Sequence, residues 1–157
     1  MSIDVLPTRP DPAVTDDFRA RCRLYRSLYG YTWYDDRTRS LTVRAHRIRA
    51  VIGPADLGTK AYEALRNRDL PIVTIGSTER WMFLTQPPAE SDDLPQLELQ
   101  ILRTHVTAVG PGAELALPTP GRHLRHWKCG LPDQTELPTY AEVVRALTQP
   151  AGGRNGC

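Results

Sequence analysis

IRAVIGPADLGTKAYEALRNRDLPIVTIGSTERWMFLTQPP, residues 48–88, decides how this chain folds. The apolar run Ile48–Ile52 stops at Gly53-Pro54 and gives way to Leu57, Ala61, Ala64 and Leu65 at helical spacing, which predicts a strand, a sharp turn and a helix. After Leu70-Pro71, two apolar runs, Ile72–Ile75 and Arg80–Thr85, flank the turn residues Gly76-Ser77-Thr78. They read as a hairpin of buried strands ended by Pro87-Pro88.

On the C-terminal side, Leu94, Leu97 and Ile101 fit a helix, while Leu97, Leu99 and Ile101 also alternate like a strand. The acidic start at Ser91–Asp93 and Pro95 favours the helix. Short strands are expected at Val106–Val109 and Glu114–Leu117 around Gly110-Pro111-Gly112, and another at Arg122–Lys128. From Ile48 to Leu117 the order is therefore strand, helix, strand, strand, helix, strand. This is the split β-α-β arrangement of ferredoxin-like and RNA-recognition-like folds, an antiparallel sheet with helices on one face and the other face open. Farther on, Thr139 and Glu142 form a capping box ahead of an apolar face of Tyr140, Val143, Val144 and Leu147, with Pro150 ending the helix.

On the N-terminal side, residues 1–14 carry Pro7, Pro10 and Pro12 and read as an extended lead-in. Thr15 or Asp16 can cap a helix with an apolar stripe of Phe18, Cys22, Tyr25 and Leu28 or Tyr29, stopped by Gly30. Arg19, Arg23 and Arg26 share another of its faces, which is either a solvated surface or a ridge for phosphates. Tyr31–Tyr34, a turn at Asp35–Thr38 and the alternation Leu41, Val43, Ala45 make a hairpin that exposes Thr42, Arg44 and His46. The expected class is α+β: one domain over residues 15–150, preceded by the lead-in and followed by a disordered tail at 151–157.

The net charge of +2 implies no polyanion partner by itself, but it is unevenly spread. Arg19, Arg21, Arg23, Arg26, Arg37, Arg39, Arg44, Arg47 and Arg49 face only Asp35 and Asp36 within the same stretch. Cys22, Cys129 and Cys157 form neither an even set nor a zinc spacing. The first residues lack a signal-peptide pattern, and no apolar run approaches the roughly 20 residues that span a bilayer. A reduced, cytoplasmic protein with no membrane partner is expected.

Chemistry-bearing motifs are sparse. No glycine-rich phosphate loop and no nucleophile elbow occurs, so no cofactor is expected. His123, His126 and Cys129 have tempting ligand types, yet on a strand positions three apart point to opposite faces, so no metal site is assigned. Asp35-Asp36 reads as a turn. Ser77 and Cys129 have no base implied by sequence. Trp33, with Tyr29, Tyr31 and Tyr34 beside arginines, matches the stacking-plus-charge chemistry of single-strand binders, although such aromatic residues also fill cores.

The order of landmarks from Ile48 to Trp127 resembles the primase–polymerase domain of the archaeo-eukaryotic primase superfamily, of the kind found in actinobacterial plasmids and phages. The shared landmarks are the strand ending in Gly53-Pro54, the helix Leu57–Leu65 closing at Leu70-Pro71, and the Arg80 strand ending in proline. GPGAELALPTPG at 110–121 and the segment from Gly121-Arg122 to Trp127 complete the likeness, which covers about half the chain. The resemblance implies an Asp-x-Asp metal pair where this chain has Ala50 and Ile52, a nucleotide-binding histidine where it has Trp81, and a later carboxylate near Val106. Two-metal phosphoryl transfer fails without those carboxylates, so no catalytic residue is expected. Arg80 is retained and suits phosphate.

The expected function is non-catalytic binding of DNA or a nucleotide, accessory to replication of a mobile element. Arg19, Arg23, Arg26, Trp33, Arg44, Arg80, Trp81, Arg122, Arg125 and Lys128 are the candidate contacts. The alternative is a protein-interaction module in which Ala50, Ile52, Trp81 and Val106 make the former active-site face an apolar docking surface.

Overall fold

A computed structural model describes residues 12–65, 69–133 and 136–149, with side chains described from residue 16. Most of the expected lead-in, the end of the last helix at Pro150 and the expected 151–157 tail lie outside the described residues.

The split unit forms as its landmarks predict. Strand β3 (Arg49–Pro54) leads into α2 (Ala55–Ala64), the hairpin β4 (Ile72–Ile75) and β5 (Arg80–Thr85), then α3 (Leu94–Leu102) and the short β6 (Thr107–Ala108). These strands lie in the order β6-β3-β5-β4, all antiparallel, and β8 (Arg125–Trp127) extends the sheet beyond β4. The ambiguous 94–102 segment is helical. Asp93 caps it by accepting the Gln96 N–H at 3.2 Å, and Pro95 occupies a first-turn position where a missing N–H costs nothing.

Strand alternation divides the sheet's side chains between two faces. Val51, Ile72 and Phe83 point toward α2, α3 and the last helix α4 (Tyr140–Thr148), where they pack with Ala61, Leu97, Val143, Val144 and Leu147. The capping box of α4 is formed: the Glu142 carboxylate accepts the Thr139 N–H at 2.7 Å, and Thr139 Oγ1 accepts the Glu142 N–H at 3.2 Å. Fully burying each such aliphatic or aromatic side chain contributes roughly 1.5–3 kcal/mol.

The opposite face is not open. A second sheet of β1 (Thr32–Asp35), β2 (Ser40–Arg44) and β7 (Glu114–Ala116), in the order β1-β2-β7, builds a second core together with α1 (Pro12–Tyr29). Tyr25, Leu41, Val43, Leu115 and Leu117 pack there with Ala50, Val73, Met82 and Leu84. The expectation of a one-sided sheet fails because β7 leaves the split unit and pairs with β2, placing Thr42 against Ala116 and Val43 against Leu115. Thr42, expected on the surface, is buried on the central strand between Trp33 and Ala116.

Three boundaries also differ from the sequence reading. Helix α1 begins at Pro12, so residues 12–14 are helical rather than extended; proline is tolerated in the first turn. Strand β8 is shorter than Arg122–Lys128, because Gly121 at φ 81° turns the chain first. Asp35 belongs to β1, and its carboxylate accepts the Arg37 N–H at 2.8 Å, which makes the predicted turn. Among the described residues, no helix is long and apolar enough to cross a membrane.

Candidate nucleic-acid interface

The candidate contacts fall into separate groups, of which only some face solvent together. The first lies on the outer face of the β1-β2-β7 sheet. Tyr31 and Trp33 are two residues apart on an extended chain and so share a face; their rings stack at 5.6 Å with an interplanar angle of 23°. The Arg44 guanidinium carbon lies 5.3 Å from the Trp33 ring centroid, inside cation–π range. Tyr31 is 73% exposed. The three residues form an accessible aromatic and cationic platform. Tyr29, grouped with Trp33 by sequence, is buried in the core instead.

Charge on this sheet is nearly matched. Glu114 faces Arg44 across β2 and β7 at 3.9 Å and also pairs with Arg37 at 3.4 Å, while Arg37 lies 3.6 Å from Asp35. The Arg37 main-chain N–H, assisted by its guanidinium, holds the Asp35 carboxyl below its ordinary range. The two solvent-exposed pairs on Glu114 stabilise by about 0–1 kcal/mol each, so their main effect is to orient the two guanidiniums.

Unmatched charge sits elsewhere. Arg19 and Arg23 are exposed on α1, and no ion pair joins them among the described residues. Arg26 is engaged differently: its Nε and Nη2 donate to the Thr32 carbonyl at 3.3 and 3.2 Å, tying α1 to the start of β1. Arg122 and Arg125 converge with Arg39 and His123 on a cavity of about 160 Å3 between the β1–β2 turn and the segment entering β8. Arg125 is half-buried, and loss of hydration pushes its pKa down.

Arg39 was not among the sequence candidates. Its contribution depends on a left-handed turn residue at φ 54° and on the approach of a segment more than eighty positions away. Glu79 closes the β4–β5 hairpin in the same conformation at φ 51°. The left-handed turn is therefore a construction shared by both hairpins, and only the arrival of Arg122–Arg125 makes Arg39 part of a site.

The remaining candidates support the fold. Trp81 pairs in register with Gly53 and Thr74 and faces the helical layer, where, like Leu57 and Tyr62, it packs against the buried core. A Cβ at residue 58 would lie 2.7 Å from Trp81 Cε3, so the ring rests directly on Gly58. The Lys128 ammonium lies 5.3 Å from the Trp81 centroid and 5.8 Å from that of Tyr62. The exposed Lys128 thus sits over the half-buried Trp81 and Tyr62 rings. Arg80 donates to the His105 carbonyl at 3.1 Å, bracing the entry to β6.

The positions aligned with the primase site do not converge. Ala50 and Ile52 pair with Leu84 and Met82 on the face covered by α1 and the second sheet. Trp81 and Val106 belong to the helical face. The expected single apolar face is divided between two interiors. The His126 Nε2 lies 2.8 Å from the His123 carbonyl oxygen, and no group of three or more His, Cys, Asp or Glu among the described residues could hold a metal ion.

No protein-family model, curated protein or solved structure matches the chain.

Proposed function

We propose that this chain is a non-catalytic primase–polymerase-like module that binds nucleic acid or a nucleotide, as an accessory to DNA replication of a mobile element. The observation that carries the reading is the Tyr31–Trp33–Arg44 stack, with Tyr31 and Arg44 exposed and Trp33 half-buried, which offers a base both an aromatic surface and a cation. Arg19 and Arg23, which form no ion pair among the described residues, supply attraction to phosphate that is independent of sequence. Ala50, buried, and Ile52, partly buried, carry no ligand atoms, which supports binding over phosphoryl transfer. Stacking one base on an aromatic side chain is worth about 1–3 kcal/mol, so Trp33→Ala should weaken binding of a labelled single-stranded oligonucleotide by roughly 5-fold to 150-fold. Unchanged affinity in that variant would remove the platform from the interface.

A second reading has its own observation. Leu94 and Leu102 of α3 border a cavity of about 620 Å3 beside β6, and Leu102 is 80% exposed. An exposed apolar surface of this kind suits a protein partner. The inward packing of Trp81 also favours use of the scaffold over stacking at that residue. This reading predicts a stable complex with a defined protein, lost in Leu102→Glu, from a chain that binds no nucleic acid.

A further inference from the structure

The cavity between the β1–β2 turn and β8 has a composition that the fold does not need. Arg39, Arg122, His123 and Arg125 line it with Ser40 and Thr119, and no aspartate or glutamate does. The hydroxyls are already engaged in shaping the walls. Thr119 Oγ1 accepts the Leu41 N–H at 2.8 Å and donates to the Leu117 carbonyl at 2.9 Å, while Ser40 Oγ donates to the Thr38 carbonyl at 3.0 Å. The guanidiniums make no ion pair and no side-chain hydrogen bond among the described residues.

Three arginines lining one cavity whose lining holds no counter-charge repel one another, and Arg125, half-buried, adds a cost of desolvation. Neighbouring Arg37 and Arg44 do find carboxylates. The contrast is local: in the β1–β2 turn Arg37 reaches Asp35 and Glu114, whereas Arg39, two residues on, lines the cavity with Arg122 and Arg125 and has no carboxylate beside it there. An anion in the cavity removes both costs at once, and planar guanidinium forks match the oxygens of phosphate.

Size narrows the ligand further. Pockets for whole small molecules usually measure about 300–1,000 Å3. At about 160 Å3, this cavity has room for one tetrahedral oxyanion and some of its hydration, and not for a nucleoside.

We propose that the cavity is a phosphate site, which takes one phosphoryl group between Arg39, Arg122 and Arg125 while the rest of the ligand stays outside. The inference rests on the nucleic-acid or nucleotide reading for the source of the phosphate, and does not use the Trp33 platform.

The test is a titration of the full chain with inorganic phosphate at constant ionic strength, followed by amide chemical shifts, with chloride as the control. Saturable shifts at residues 38–40 and 119–125 are expected, about tenfold or more weaker in Arg122→Gln. Arg122 is exposed, so that variant keeps the fold; Arg125→Lys serves as a second, conservative check of fork geometry. A response equal to that of chloride, or one unaltered by both substitutions, overturns the site.

A mononucleotide, its nucleoside and a single-stranded oligonucleotide then identify the source. Competition by the oligonucleotide assigns a nucleic-acid phosphate, and competition by the mononucleotide alone assigns a free nucleotide. Strand binding without any phosphate response defeats this site and leaves the broader reading standing, whereas the absence of all binding defeats both.

Discussion

Tyr25 and Tyr29 stand one turn apart on α1, both in the core, and differ in what their hydroxyls meet. The Tyr25 hydroxyl donates to the Pro118 carbonyl, accepts from Trp127 Nε1 at 2.9 Å and receives Arg21 Nη1 at 3.3 Å. It joins α1, the β7–β8 connection and β8. The Tyr29 hydroxyl is buried without a hydrogen-bond partner among the described residues, and burial pushes its pKa up. Removing a satisfied hydroxyl strands its partners, while removing an orphaned one relieves a cost. Tyr25→Phe should lose about 1–3 kcal/mol, and Tyr29→Phe should be neutral or gain up to about 1 kcal/mol, in urea unfolding. Equal losses in both would refute this division. Sequence periodicity places Tyr25, with Leu28 or Tyr29, on an apolar stripe, but the period of a helix says nothing about which carbonyl a hydroxyl will reach ninety positions later.

At the scale of elements, local chemistry was the most legible. The capping box at Thr139 and Glu142, the Asp93 cap, the turn at Asp35 and the β4–β5 hairpin each depend on residues within a few positions of one another. The β2–β7 pairing was hidden because its partners lie some seventy positions apart and β7 has only three residues. Gly58 marks another relation that only packing reveals. A glycine inside α2 sacrifices about 1 kcal/mol of helix propensity relative to alanine, and the Trp81 ring occupies the space where a methyl group would go. Gly58→Ala should therefore destabilise by a net ~1–2 kcal/mol despite its better propensity, with partial recovery in the double variant with Trp81→Leu. Thermal unfolding measures both. A Gly58→Ala chain more stable than its parent would show that the indole yields without cost.

The whole molecule encloses the central sheet on both faces, and this enclosure decides which candidate residues remain available. The primase-like order of landmarks led to residues on β3 and β5, and the second sheet and α4 cover them. Side-chain alternation was readable, yet the layer covering each face was not, since that depends on where β7 and α1 finally pack. The outer face of the second sheet, Arg19 and Arg23 of α1 and the basic cavity at the β1–β2 turn remain exposed. A net charge of +2 becomes directional because acidic partners serve one part of this surface and not the others.

Nucleic-acid binding is decided by the equilibrium affinity of the full chain for labelled single-stranded DNA, duplex DNA and RNA, measured across a range of salt. Affinity should fall linearly on a log–log plot, with a slope of about −0.7 for each phosphate neutralised on a single strand. A flat salt dependence, or no binding to any of the three at low salt, would contradict it.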